Sequence, residues 1–394
     1  MSRLSTIAAF SLFGSVLAQD FIHYKFDSTC TNEVINYATG AQALASNGTL
    51  QSTAATQWVA GVFGSALAQG TTVAPLSHNR VVTGWDPSVQ NVTGDLTMAW
   101  FMRQGPVPIA ATINYTMGAP TGGFRQFTNG IAGRGLYQRV ILAGGGNGIN
   151  ATIANDFYLP AATADIQTMA AAGWVHVAMV VDSVAQTADW YINGVSVLQL
   201  AGVPGALINA AGPFMVGAYS TAATAAGSNY DVDEFIMSLR AFSPAEILAL
   251  SQVPQAGAGA YLSGTTTQCG SLTLSSTGGR PSAGNAAYAL SLNPAAPSYY
   301  VVFLGYDRCT FGGGLFQLPL DGGLLSPLAA GCQVLTDFVS DLSGVSAGGP
   351  TSVPFAIPGG TMFIGLTLYS QAAAIDLGTT AVSASNGLSI SVGS

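Results

Sequence analysis

What this chain lacks first is charge: Asp, Glu, Lys and Arg make up 7% of its 394 residues, against roughly 25% in an average soluble domain. Lys25 is the sole lysine and the arginines are scattered, so there is no basic patch to neutralise phosphates, and nucleic-acid binding is excluded. Glutamate is nearly absent too, with Glu33, Glu234 and Glu246 alone. The carboxylate pair of a glycosidase, which on a strand would share one face at i and i+2, is approached only by Asp231 and Asp233. Histidines at 23, 78 and 176, without a C-x-x-C pair, leave zinc and redox chemistry short of ligands. No stretch beyond the N-terminus reaches the roughly 20 apolar residues of a membrane helix without Gly or polar interruption. Few Lys and Glu also means few strong surface helix formers, while Gly, Thr, Val and Ser abound, so the composition favours an all-β protein. Its polar surface must rest on hydroxyls and amides, helped by a net charge of −8.

The length accommodates two domains. Residues 1–18 read as a secretory signal peptide: Arg3 supplies the positive start, Ile7 to Val16 the apolar stretch, and Val16-Leu17-Ala18 a small-residue cleavage site. The mature chain is therefore expected to be secreted or at the cell surface, with no membrane span. In that oxidising setting Cys30, Cys269, Cys309 and Cys332 are expected to form disulfides. Cys309–Cys332 would close the shortest loop, and Cys269–Cys332 is its main rival.

The clearest local signal lies at Gly173 to Leu200, where β-branched and aromatic runs flank Asn193-Gly194. Asn-Gly suits a type I′ hairpin, whose two central residues both need positive φ. Around it, Phe21–Phe26, Arg80–Trp85, Asp95–Arg103, Thr112–Met117, Phe124–Thr128, Leu136–Leu142, Phe214–Ala218 and Asp231–Leu239 read as strands at intervals that suit a sandwich. The one convincing helix start is Ser243-Pro244-Ala245-Glu246, a capping box with Pro in the first turn. This divides the chain into residues 19–252, a linker at 253–260 and a second module at 261–394, whose seven or so short strands fit a smaller immunoglobulin-like β-sandwich.

Gly61-Val62-Phe63-Gly64-Ser65-Ala66-Leu67, Trp174-Val175-His176-Val177-Ala178, Trp190-Tyr191-Ile192-Asn193-Gly194, and Asp233-Glu234-Phe235 with Arg240-Ala241-Phe242-Ser243-Pro244 follow one another in order. This series resembles laminin-G-like, concanavalin A-like domains. The resemblance, over residues 21 to 252, implies a two-sheet jelly-roll sandwich that binds glycans or proteins, usually without catalysis and sometimes with a structural Ca²⁺. The second module is similar, through Gln268-Cys269-Gly270, Gly331-Cys332 and Val353-Pro354-Phe355, to a C-terminal module of exported bacterial proteins, which carries no established activity.

On that resemblance the acidic residue entering the last strand, Asp233, is a candidate ligand for structural Ca²⁺, with Asp27 as its neighbour. The alternative use of such carboxylates is to cap turn amides. For sugar contact, Trp85, Trp58 and Tyr191 are the candidates, because rings in turn-rich flanks or on an outer sheet face can stack on a pyranose, whereas Trp100, Trp174 and Trp190 suit the core. His176 fits a hydrogen-bonded sheet residue. The expected function is non-catalytic carbohydrate binding or adhesion, with a glycan or cell-surface protein as partner. Against it stand a polysaccharide-active hydrolase or lyase, and a structural surface or matrix component. Four N-x-T sequons, at Asn47, Asn91, Asn114 and Asn150, carry meaning only in a eukaryotic secretory pathway.

Overall fold

A computed structural model describes residues 20–27, 30–38, 47–70, 77–105, 113–118, 138–141, 148–153, 155–160, 163–208, 212–218, 228–261 and 269–394. The signal sequence at 1–18 and the strand predicted at Phe124–Thr128 lie outside these residues. The chain divides into two compact units, one mainly of residues 42–253 with 19–38, the other mainly of 254–394.

The first unit is built on two antiparallel sheets. In one, strands run in the order Val195–Ala201, Thr187–Ile192, Val175–Asp182, Leu96–Gln104, Tyr230–Ser238, Ser65–Leu67 and Trp58–Ala60, with Asp20–Tyr24 also paired to Tyr230–Ser238. The other runs Asn155–Pro160, Gly148–Ile153, Gln138–Ile141, Ile113–Gly118, Met215–Val216, Asn79–Val82, Gly48–Ser52 and Glu33–Val34. Period-two alternation decides which side chains meet between them. Leu96, Met98, Trp100 and Met102, then Val175, Val177, Met179 and Val181, then Ala188, Trp190 and Ile192, all enter one core with Leu50, Val81, Met117 and Val216 of the second sheet. The fold is a jelly-roll-type sandwich.

The Asn-Gly hairpin forms as its chemistry requires. Asn193 has φ of 49° and Gly194 of 80°, and Ile192 pairs with Val195 across the turn. A Cβ on Gly194 would strike Leu248, so the helix Pro244–Leu250 packs directly on this turn. That helix carries the full capping box, Ser243 and Glu246 each answering the other's backbone amide. A second short helix, Ile166–Ala172, capped by Asp165, is one the sequence pattern did not announce; it is too brief to show periodicity.

The second unit has a five-stranded sheet, ordered Gly257–Tyr261, Val382–Ser391, Thr367–Asp376, Ser298–Gly305 and Ser340–Ser346, and a three-stranded one of Leu274–Thr277, Ala289–Leu292 and Thr351–Pro354. Leu274, Leu290 and Leu292 of the smaller sheet pack with Val302, Ala372, Leu388 and Ile390 of the larger. The linker expected at 253–260 is a correction: Gly257–Tyr261 is an edge strand paired along its length to Val382–Ser391. Its Gly-Ala-Gly-Ala-Tyr alternation reads as a linker by composition, yet small residues fit where a neighbouring strand supplies the hydrogen bonds. Of the two disulfide pairings favoured on spacing, the structure has Cys269–Cys332 and not Cys309–Cys332, with Cα atoms 4.8 Å apart, and no cysteine among the described residues is free.

Candidate functional site

Polar residues gather at one end of the first sheet, on and beside the face turned away from the core. Strand Tyr230–Ser238 pairs regularly with Leu96–Gln104 up to Asp233, then shifts register before Ile236. Within this bulge Glu234 takes a left-handed conformation, φ 47°. Such a residue is uncommon outside glycine, and bulges of this kind re-aim side chains. Here the bulge lets the neighbouring carboxylates, Asp233 and Glu234, both be buried while serving different partners.

Glu234 meets the N-terminal strand. Its Oε1 accepts from Lys25 Nζ at 2.9 Å, and its Oε2 lies 3.2 Å from His23 Nε2. His23 and Lys25 stand at i and i+2, so both reach the same carboxylate. Burial works to raise the Glu234 carboxyl, but Lys25 and His23 outweigh it and hold it below the usual range. Burial lowers His23 despite Glu234, so its imidazole is neutral and donates from Nε2.

Asp233 serves the hairpin formed by Trp58–Ala60 and Ser65–Leu67. Its Oδ2 accepts from the amides of Val62 (2.7 Å) and Phe63 (3.3 Å), and its Oδ1 from the amide of Glu234 (2.8 Å). Asp27 Oδ1 accepts from the Ser65 amide at 2.9 Å. A Cβ at Gly61 would collide with the Asp233 carboxylate and one at Gly64, where φ is 77°, with Asp27. The two glycines of the G-V-F-G run therefore exist to let a tight turn close on two acids. Burial pushes Asp27 up to about 7, with Glu234 adding to the rise and Lys25 opposing it. Burial, then the charges of Glu234 and Asp27, lift Asp233 well above the usual carboxylate range, against the two turn amides.

These are the two residues named as Ca²⁺ candidates, and they do not fit a cation. Calcium takes six to eight oxygens whose lone pairs face the ion. Here both oxygens of Asp233 and one of Asp27 already face N–H donors, and among the described residues no three His, Cys, Asp or Glu side chains are disposed to hold a metal. Asp231, the other half of the Asp-x-Asp pair, is equally committed. Its Oδ2 accepts from Arg103 Nη2 (2.8 Å) and Nε (3.2 Å), and its Oδ1 from the Gln69 amide (2.9 Å).

The aromatic candidates separate differently from expectation. Trp85 is 0% exposed, set against Phe21 and Phe214 with its Nε1 donating to the Gln90 carbonyl at 2.8 Å. Its turn-rich flank folds over the core edge, and the indole is part of that core. Tyr191, on the outer sheet face, is only 5% exposed. Trp58 is half-buried and packs against the core from the hairpin. Trp174, assigned to the core from the sequence, is instead half-buried at the strand end, with the Arg103 guanidinium 4.6 Å over its ring and open space where a Cβ on Gly173 would stand. The signal for this was positional: Trp174 precedes its strand and Arg103 comes one residue before the end of its own. His176 is buried against Phe101, and burial lowers it to about 3, so it stays neutral; its backbone amide donates to Asn193, while its ring Nδ1 has no partner among the described residues, contrary to the expected hydrogen-bonded sheet histidine.

The sequence also holds Gly344-Val345-Ser346-Ala347-Gly348, the spacing of a G-x-S-x-G nucleophile elbow. It closes strand Ser340–Ser346 and turns into another strand, without the helix an elbow requires, and the Ser346 hydroxyl bonds Thr351 Oγ1 at 2.6 Å.

Residues 81–248 match a laminin-G family model described as the concanavalin A-like lectin/glucanases superfamily, so the resemblance read from the sequence holds for that segment. No curated protein matches the chain. Among solved structures, domain 4 of AbnA, a GH43 extracellular arabinanase from Geobacillus stearothermophilus in complex with arabinotriose, is similar at 16% identity, over 60% of this chain and 99% of that one, with a TM-score of 0.39. The heptameric SAP-like pentraxin from Limulus polyphemus is similar at 14% identity over 41% and 71%, TM-score 0.29. The binding domain of botulinum neurotoxin DC in complex with SialylT is similar at 9% identity over 77% and 69%, TM-score 0.41.

Proposed function

We propose that the first unit binds carbohydrate without transforming it, and that the chain works outside the cell. The observation that carries the reading is the match of residues 81–248 to a superfamily of lectins and glucanases. Within that choice, the state of the acids supports binding over hydrolysis. A glycosidase needs one carboxyl free to protonate the leaving oxygen and another free to attack or to activate water. Asp231, Asp233 and Glu234 are all buried and bonded to protein donors. The sugar contact falls to Trp174, held by Arg103, which Asp231 in turn fixes; an indole immobilised on one face gives a stacking surface that costs little entropy to order. Cys269–Cys332 is in keeping with an oxidising, extracellular setting.

Glycan-array binding tests this. Trp174→Ala should abolish the binding of whichever glycan the chain retains and leave its melting temperature unchanged. Undiminished binding by this variant would overturn the assignment of the surface. Turnover of any polysaccharide, lost in Asp231→Asn while the fold persists, would replace binding by catalysis.

A further inference from the structure

The sequons are the one motif series that the binding site does not absorb, and the structure separates the two whose side chains are described. Asn47 is half-buried and its amide is used twice: Nδ2 donates to Glu33 Oε1 at 2.8 Å and Oδ1 accepts from the Asn36 amide at 2.9 Å. A sugar on Nδ2 would have to stand beside Glu33, in the loop those bonds organise. Asn91 is the opposite case. It precedes the short strand Val92–Gly94, where Val92 is buried in the core, so the period-two alternation turns Asn91 and Thr93 outward together, and both are exposed. The Asn91 amide has no partner among the described residues. The paired strand, Ala206–Ile208, holds the backbone of Val92 to Gly94 and leaves both side chains of the sequon in solvent.

We infer that Asn91 is an N-glycan acceptor, taking an oligosaccharide from a lipid-diphosphate donor, and that Asn47, despite the same motif, is not stably occupied in the folded chain. In the transfer the Asn91 side-chain nitrogen bonds to the anomeric carbon of the donor's first sugar. The bond from that carbon to the lipid diphosphate breaks, the diphosphate leaves with the electron pair, and the nitrogen gives one proton to a base of the transferase. The inference rests on the extracellular reading above, with export through a eukaryotic secretory pathway, and the experiment keeps the two apart. The full chain is expressed in eukaryotic secretory cells twice, once with its own N-terminus and once with a host leader in place of residues 1–18. Both cell-retained and secreted protein are treated with an amidase that converts glycosylated Asn to Asp, and peptides are read by mass spectrometry. Failure of the first chain to enter the secretory lumen would refute export alone. In the chain carrying the host leader, conversion at Asn91 in most secreted molecules, with Asn47 largely unconverted among them, is the expected result. Unmodified Asn91 in both fractions, or Asn47 occupied as fully as Asn91 in the secreted one, would overturn the inference. Since residues 19–394 are unchanged in both chains, no substituted variant has to fold for it to be decided.

Discussion

Replacing Lys25 by methionine isolates the ionic contact on which the first unit's acidic end depends. Lys25 and Glu234 have side chains 1% and 4% exposed and meet at 2.9 Å, so water cannot take over when one of them is removed. Methionine keeps most of the lysine's volume, which leaves the uncompensated charge as the main effect. Removing one partner of a buried pair costs about 3–5 kcal/mol, a large part of the roughly 5–15 kcal/mol that holds a domain together. The five tryptophans, at 58, 85, 100, 174 and 190, all lie in the first unit, so urea unfolding followed by indole fluorescence reports on that unit alone. The pH dependence has a definite sign. Because Glu234 is held below its ordinary value, its contribution is present above the unfolded pKa, about 4.3, and is lost as pH falls through the folded one. Without Lys25 burial dominates and the carboxyl rises, so the penalty of the variant should shrink in acid. Lys25→Met combined with Glu234→Gln should recover much of the loss, since no charge remains to be buried. A penalty below about 1 kcal/mol, the range of a solvated pair, or no recovery in the double variant, would refute the account.

Asp27 gives the opposite slope. With its carboxyl pushed up to about 7, the folded chain keeps a proton that the unfolded chain releases near pH 4, so stability should fall as pH rises through that window, and Asp27→Asn should flatten the fall in urea midpoints. Cys269→Ser opens a loop of 63 residues; loop-closure entropy puts the loss at about 4 kcal/mol, to be read by circular dichroism because the second unit has no tryptophan. Chelation should leave the calorimetric melting temperature of the first unit unchanged, as its acids face amides. A fall of several degrees would restore the calcium reading.

Local chemistry wrote several features of this protein directly. Alternation from Leu96 to Met102 and Val175 to Val181 gave two central strands and the face each residue takes, because a strand's period is fixed by its backbone. Asn193-Gly194 and Ser243-Pro244-Ala245-Glu246 each formed what their side chains favour, since the partners lie within a few residues. The ordered glycines, tryptophans and acids resembled a concanavalin A-like domain over residues 21 to 252, of which residues 81–248 match the family model. What the sequence could not carry is the fate of side chains whose partners lie far along the chain. Trp85 looked exposed because its neighbours are turn formers, and only the approach of Phe21 and Phe214 buried it. Asp233 looked like a metal ligand until the 61–65 turn, some 170 residues earlier, was seen to present its amides to it. Lys25 and His23 each lie about 210 positions from Glu234, and the three become one buried cluster around an ion pair only when strand Asp20–Tyr24 pairs with Tyr230–Ser238. Sequence fixes periodicity and turns, which are local. Long-range strand pairing decides which polar groups lose their water, and with it which of them remain free to meet a ligand.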